Sequence, residues 1–282
     1  MENETIHVSF PVIDLEEILV PWENCLRITI GPISEVLVKK MIEKRYDYAP
    51  VSLSDASNSP ILGLVSRQRL ESLLKENKEL TREDKGIILA EVPVMTNLDY
   101  VLERLAEVPT RIVSHDIEAE GHSLYGVYGI VNKSDLNKPP VRKIIYEILA
   151  KLEITLAEYI NSKNIDTFSL IELLNEDSQA RILGYWELAR RKNVDTGPLT
   201  GAMLSELLRI AAKYLYAELG FKSKNELEKI TGCLPEIRNQ VMHPVRPLIT
   251  DEKSCLRLKE ALYNAILITK KVQAGLPRQD RT

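Results

Sequence analysis

The chain has 282 residues, 44% hydrophobic and 28% charged, a length for about two ordinary domains and a composition that argues against a disordered or fibrous protein. Its three cysteines, Cys25, Cys233 and Cys255, lack the close spacing of a disulfide framework or zinc site; with no signal-like start and no apolar run near the ~18 residues of a membrane span, a cytoplasmic chain without a membrane partner is expected. The net charge of −4 divides unevenly, with 14 Lys+Arg against 23 Asp+Glu in residues 1–137 and 23 against 18 in residues 138–282, so a polyanion suits the second half better.

The first half repeats itself at a spacing of 66 residues. One unit comprises Ile28-Thr29-Ile30, a helical stretch from Ile33 to Lys44, the β-like Ala49-Pro50-Val51-Ser52-Leu53, and Ile61-Leu62-Gly63-Leu64-Val65-Ser66. The other comprises Val94-Met95-Thr96, Leu98 to Glu107, Arg111-Ile112-Val113-Ser114, and Val127-Tyr128-Gly129-Ile130-Val131-Asn132. Each predicts strand, helix, strand, turn, strand, helix, with the second unit's turn longer and its last helix shorter. Val36, Leu37 and Met41, then Leu70, Leu73 and Leu74, supply apolar helix faces in the first unit. His115, Asp116 and His122 fall in an acidic loop of the second; their spacing matches no familiar site, so no metal is expected there.

These pieces resemble a tandem pair of cystathionine-β-synthase-type (CBS) domains, a Bateman domain, over residues 12–137. The resemblance rests on Tyr48-Ala49-Pro50-Val51, on Gly63-Leu64-Val65-Ser66 opening a helix, and on Gly129-Ile130-Val131-Asn132-Lys133-Ser134-Asp135-Leu136. In that family the glycine-led strand enters a helix through Ser or Thr, and an Asp three residues later accepts from both ribose hydroxyls of an adenosine ligand. The resemblance implies an adenine nucleotide as regulatory ligand, of AMP, ATP or cyclic-dinucleotide type, with Asp135 on the ribose and Asn132 in the Ser/Thr slot. The first unit keeps Ser66 but has Arg69 where the aspartate is expected. Arg67 and Arg69 either face phosphates of a nucleotide bound next door or are exposed helix charges. Thr96 either lines the adenine pocket or caps the helix from Leu98.

Asn137-Lys138-Pro139-Pro140 closes the repeat, giving a first domain over 1–137 and a second over 138–282. Val141, Ile144, Ile145, Ile148, Leu149 and Leu152 form a helical stripe that runs on through Leu156. Further helices are predicted over Ser178 to Lys192 and Met203 to Leu219, the latter stopped by Gly220. Ser223-Lys224-Asn225-Glu226 reads as a capping box, and the helix it opens meets a kink or break at Gly232 and Pro235. A last amphipathic helix carries Leu258, Ala261, Leu262, Ala265 and Ile266. The expected class is α+β, a pair of α/β repeats followed by an all-α bundle.

Arg238-Asn239-Gln240-Val241-Met242-His243-Pro244 joins an anion binder, a hydrogen bonder and a general-base candidate. A helix reaching His243 makes Asn239 and His243 i,i+4 neighbours, and Pro244 ends it there, where the dipole favours a cationic imidazole. Read locally, the alternative is a surface arginine and a capping histidine. Within a helical bundle the motif resembles that of the HEPN superfamily, whose nuclease members carry Arg-x4-6-His with a polar residue after the arginine; the likeness covers residues 140–272.

The resemblance implies metal-independent RNA cleavage by attack of the ribose 2′-OH, without a catalytic cofactor. His243 is the general acid or base, Arg238 stabilises the phosphorane, and Asn239 positions the phosphate or orients His243. It also implies a homodimer whose two motifs share one groove, with a defence role among those such enzymes take. The residue reading leaves a second function open: a non-catalytic adenine-nucleotide sensor whose helical domain mediates dimerisation or docking.

Overall fold

The computed structural model describes residues 6–56, 59–114, 127–163, 165–194 and 196–276. The chain divides into two compact units, one of Pro11–Val141 with Ile249–Leu256, the other of Arg142–Leu248, Arg257–Thr282 and Met1–Phe10. The class is mixed α+β.

In chain order the first unit runs β1 (Val12–Asp14), β2 (Val20–Pro21), β3 (Ile28–Thr29), α1 (Glu35–Glu43), β4 (Tyr48–Ser52), β5 (Ile61–Ser66), α2 (Arg67–Lys75), β6 (Ile87–Ile88), β7 (Glu91–Pro93), β8 (Met95–Asn97), α3 (Leu98–Glu107), β9 (Thr110–Ser114), β10 (Val127–Asn132) and a 3-10 turn over Lys133–Asn137. One sheet has the order β3-β4-β5-β6 and another β7-β9-β10-β2, each with its first pair parallel and the others antiparallel. The repeat is therefore present in the hydrogen bonding. Ile28 faces Val51, which faces Gly63, just as Val92 faces Val113, which faces Gly129.

The spacing of 66 holds between the two glycines, but the first strand of the second repeat is Glu91–Pro93 and not Val94-Met95-Thr96. Met95–Asn97 instead pairs antiparallel with Val12–Asp14. The glycines have a steric reason. A Cβ on Gly63 would lie 2.5 Å from the carbonyl oxygen of Ile88, and one on Gly129 would lie 2.1 Å from that of Val20, so each edge strand rests where a side chain would stand. Gly63 also has φ +146.

Helical periodicity sets the cores. In α1, Val38 and Met41 are buried while Val36 is 60% exposed, so the predicted face is rotated: Val36 lies on the solvent side and Val38 takes its place. Leu70 and Leu73 of α2 and Leu98, Val101, Leu102 and Leu105 of α3 are buried, each contributing about 1.5–3 kcal/mol.

The described elements of the second unit are helices: α4 (Pro139–Ser162), α5 (Thr167–Ile171), α6 (Glu176–Arg191), α7 (Leu204–Tyr214), α8 (Lys224–Thr231), α9 (Leu234–Met242) and α10 (Glu252–Gly275), α4 and α10 beginning in residues of the first unit. The stripe Val141, Ile145, Leu149, Leu152 and Leu156 is buried along α4. Helix α5 was not expected; Asp166 caps it, accepting from the backbone N–H groups of Phe168 and Ser169. Helix α7 ends at Tyr214, before the predicted Leu219, and Gly220 follows at φ +72. Ser223 accepts from the Glu226 N–H, and Glu226 in turn accepts from the Lys222 N–H at 2.6 Å. The chain breaks between α8 and α9 at Gly232, and Pro235 sits in the first turn of α9, where its missing N–H is harmless.

Candidate functional site

Two clefts open on the first unit, related by its repeat. The first, of about 280 Å³, lies where β10 ends in Asn132, Lys133 and Ser134, against Pro109 and Thr110 and the corner Lys44 to Tyr48 of the other repeat, with Asn24 and Cys25 at its wall. The second, of about 330 Å³, lies where β5 ends in Ser66, Arg67 and Gln68, against Asp47, Tyr48, Glu107, Pro109 and Glu252. Ser66 caps α2 by accepting from the Arg69 N–H, and the Asn132 side-chain oxygen accepts from Thr110 Oγ1 at 2.6 Å.

The clefts differ in charge. Lys44, Arg45 and Lys133 face one carboxylate, Asp47, in the first; Arg67 faces three, Asp47, Glu107 and Glu252, in the second. Hydrogen bonds from Arg104 hold Glu107 below its ordinary pKa, and one from Lys133 does the same for Glu252, so both stay anionic at neutral pH. By the charges that line them, the first cleft suits a phosphate better than the second.

Arg45 carries a further signal. Its N–H donates to Ile42 O at 3.1 Å and that of Tyr46 to Met41 O at 2.8 Å, the paired bonds of a Schellman helix end. The residue after the C-cap in that motif is left-handed, normally Gly or Asn. Asn77, Asn193 and Gly220 follow the rule, with φ of +52, +54 and +72, whereas Arg45 holds φ +56 with a long side chain. An arginine at this position costs roughly 1–2 kcal/mol of backbone strain, and it lines the cationic cleft. Lys44, Arg45 and Tyr46 were missed by sequence reasoning; the available signal was a helix ending without Gly or Asn.

The expected ligand residues are placed unevenly. Asn132 and Ser66 line the first and second cleft respectively. Asp135 is 7% exposed; one carboxylate oxygen accepts from the Asn132 N–H at 2.7 Å and the other meets Lys138 Nζ at 2.9 Å, so both already serve the 3-10 turn. Arg69 grips Asp84 through two bonds, at 3.0 and 2.8 Å, and these hold the Asp84 carboxyl below its usual range. Arg69 thus anchors the loop before β6, and neither of the two clefts is lined by it or by Thr96, which pairs with Ile13 across β1 and β8. The cap of α3 is Asn97, not Thr96. Burial pushes the Cys25 thiol up to about 12, which keeps it protonated and inert. His115, Asp116 and His122 lie outside the described residues.

In the second unit, α9 ends at Met242 and His243 is its C-cap, with its N–H donating to Asn239 O at 3.1 Å. Asn239 and His243 are exposed, and no side-chain hydrogen bond to the imidazole is found among the described residues. Arg238 is half-buried, its Nε 3.7 Å from Glu153 Oε2 of α4. Arg142, 7% exposed, donates to Gln240 O at 2.7 Å and to Arg246 O at 2.5 Å, fixing the backbone on both sides of His243.

Fold and clefts together define a mixed α+β unit of two strand-helix-strand-strand repeats, joined to helices. No family model matches the chain, and no curated protein does. Solved structures similar to part of it include a hemolysin-like protein containing a CBS domain from Oenococcus oeni PSU, at 16% identity and TM-score 0.36 over 47% of this chain and 91% of that one. They also include CbpB in complex with c-di-AMP, at 12% identity and TM-score 0.35 over 48% and 88%. A third is the CBS domain of the bacterial CNNM/CorC family Mg2+ transporter in complex with ATP, at 19% identity and TM-score 0.30 over 44% and 83%.

Proposed function

We propose that the chain is an adenine-nucleotide-regulated, metal-independent endoribonuclease. The nucleotide occupies the cationic cleft, with its phosphates toward Lys44, Arg45 and Lys133 and its base beside Tyr46 and Tyr48. The observation that carries this reading is Arg45, a left-handed arginine at a helix end that lines the same cleft as Lys44 and Lys133. Asp135, buried and engaged by its own turn, is not among the residues that line this cleft and supports it through the Asn132 N–H.

RNA is cut by Arg238, Asn239 and His243, with a second copy of the chain supplying a second set to the same groove. One imidazole takes the 2′-OH proton as the oxygen attacks phosphorus, and a protonated imidazole gives a proton to the departing 5′-oxygen. The products are a 2′,3′-cyclic phosphate and a 5′-OH. Arg238 neutralises the phosphorane oxygens. The open, unpartnered imidazole on a backbone pinned by Arg142 supports this assignment. The ion pair of Arg238 with Glu153 favours a second reading, in which the arginine is structural and the chain is a non-catalytic sensor whose helices dock a partner. Purified protein on total RNA with EDTA, beside Arg238→Ala and His243→Ala, separates the two. Cleavage lost in both folded variants supports the enzyme; no cleavage with any of AMP, ATP or cyclic di-AMP supports the sensor.

A further inference from the structure

The first residues of α10 belong to the first unit, although the helix continues into the helical one. Two contacts hold them. Lys133, which lines the cationic cleft, places Nζ 2.5 Å from Glu252 Oε1. Asn137 clamps the backbone of Ile249 from both sides, its amide nitrogen donating to Ile249 O at 2.9 Å and its amide oxygen accepting from Ile249 N at 3.0 Å. Lys133 and Asn137 begin and end the same 3-10 turn, so the cleft and the clamp are one short element.

We infer that Lys133 is a shared cation, held by Glu252 when the cationic cleft is empty and drawn to phosphate when it is filled, so that ligand binding releases the Ile249–Leu256 segment. This rests on the nucleotide reading of that cleft. Glu252 has a reason to leave once Lys133 turns away: it lines the second cleft with Asp47 and Glu107, where the single Arg67 is then shared among three carboxylates. The consequence travels along the chain. Ile249 follows His243 by six positions, and the loop between them is held at Arg246 O by Arg142 and at Ile249 by Asn137. Releasing Glu252 removes one of the two contacts that hold this end of the loop following the imidazole, the Asn137 clamp remaining, while Arg142 keeps the backbone at Gln240 and Arg246 in place.

The regulation is therefore a competition for one lysine, and competition is reciprocal: whatever weakens Glu252 must strengthen the ligand. The test uses the full chain with AMP, ATP and cyclic di-AMP as probes, reading affinity by calorimetry and amide exchange over 249–256, for wild type and for Glu252→Gln. The proposal expects a bound probe to speed exchange of the segment in wild type. It expects Glu252→Gln to show fast exchange without any probe and to bind the same probe about two- to fivefold more tightly, the range of a partly exposed ion pair. A probe that binds wild type without changing the segment, or that binds Glu252→Gln no better, overturns the latch and leaves the nucleotide reading standing. Failure of every probe to bind either protein overturns the nucleotide reading and the latch with it.

Discussion

Replacing Arg45 by glycine separates the backbone cost of that residue from its use. At φ +56 a non-glycine residue loses roughly 1–2 kcal/mol, and glycine returns about 0.5–1 kcal/mol of that through its freer unfolded chain. Arg45→Gly therefore unfolds at the same temperature as wild type or up to a few degrees higher, a net gain of about 0–1.5 kcal/mol. Ligand binding moves the other way. A charge-assisted hydrogen bond contributes about 1.5–3 kcal/mol, and in an open cleft the lower end applies, so adenine-nucleotide affinity falls about tenfold. Thermal unfolding without ligand and calorimetric titration read the two effects separately. A variant that is destabilised by more than about 1 kcal/mol, or whose affinity stays within about twofold of wild type, would refute the reasoning that the arginine is retained for an anion.

Three further outcomes follow from the geometry. Gly129→Ala drives a Cβ to 2.1 Å from Val20 O and costs about 1–3 kcal/mol or more, measured by denaturant unfolding, with the loss concentrated where β2 joins β10. Asp84 is held below its unfolded pKa of about 3.9 by Arg69, so the stability from that pair is full above this value and is lost as pH falls through the lower folded one. Asp84→Asn accordingly flattens the acid limb of a pH–stability curve, and Arg69→Ala lowers the melting temperature without changing nucleotide affinity. His243→Ala, at an exposed helix end, changes stability by less than about 0.5 kcal/mol while cutting RNA cleavage by about 10²–10⁴-fold.

The sequence carried the repeat because alternation and glycine are local signals: Gly63 and Gly129 mark equivalent places, and both are required by an edge-strand carbonyl. It misplaced the first strand of the second repeat because Val92 and Val94 both alternate acceptably, and only pairing with β9 or β1 decides between the neighbouring segments. Val36 and Val38 present the same difficulty on α1, where the direction of the core is a tertiary fact. The motif Arg238 to His243 was legible as spacing, but the Glu153 partner of Arg238 lies 85 positions away and carries no local mark. Asp135 and Arg69 were taken toward the ligand because a sequence motif names residue types; the bonds to Lys138 and Asp84 that occupy them belong to the fold. Arg45 was overlooked because a residue in a glycine's place attracts no attention until its φ is known.

The central claim is that a nucleotide in the cationic cleft governs cleavage at His243. Its most direct measurement is RNA cleavage by the full chain with and without each adenine nucleotide, in wild type, Arg45→Gly and His243→Ala. The account predicts cyclic-phosphate ends from wild type at a rate that changes with a bound nucleotide, a rate in Arg45→Gly that responds only at about tenfold higher ligand, and a rate about 10²–10⁴-fold lower from His243→Ala. Cleavage by His243→Ala at a rate near that of wild type, or a nucleotide response with the same ligand dependence in Arg45→Gly as in wild type, would contradict it.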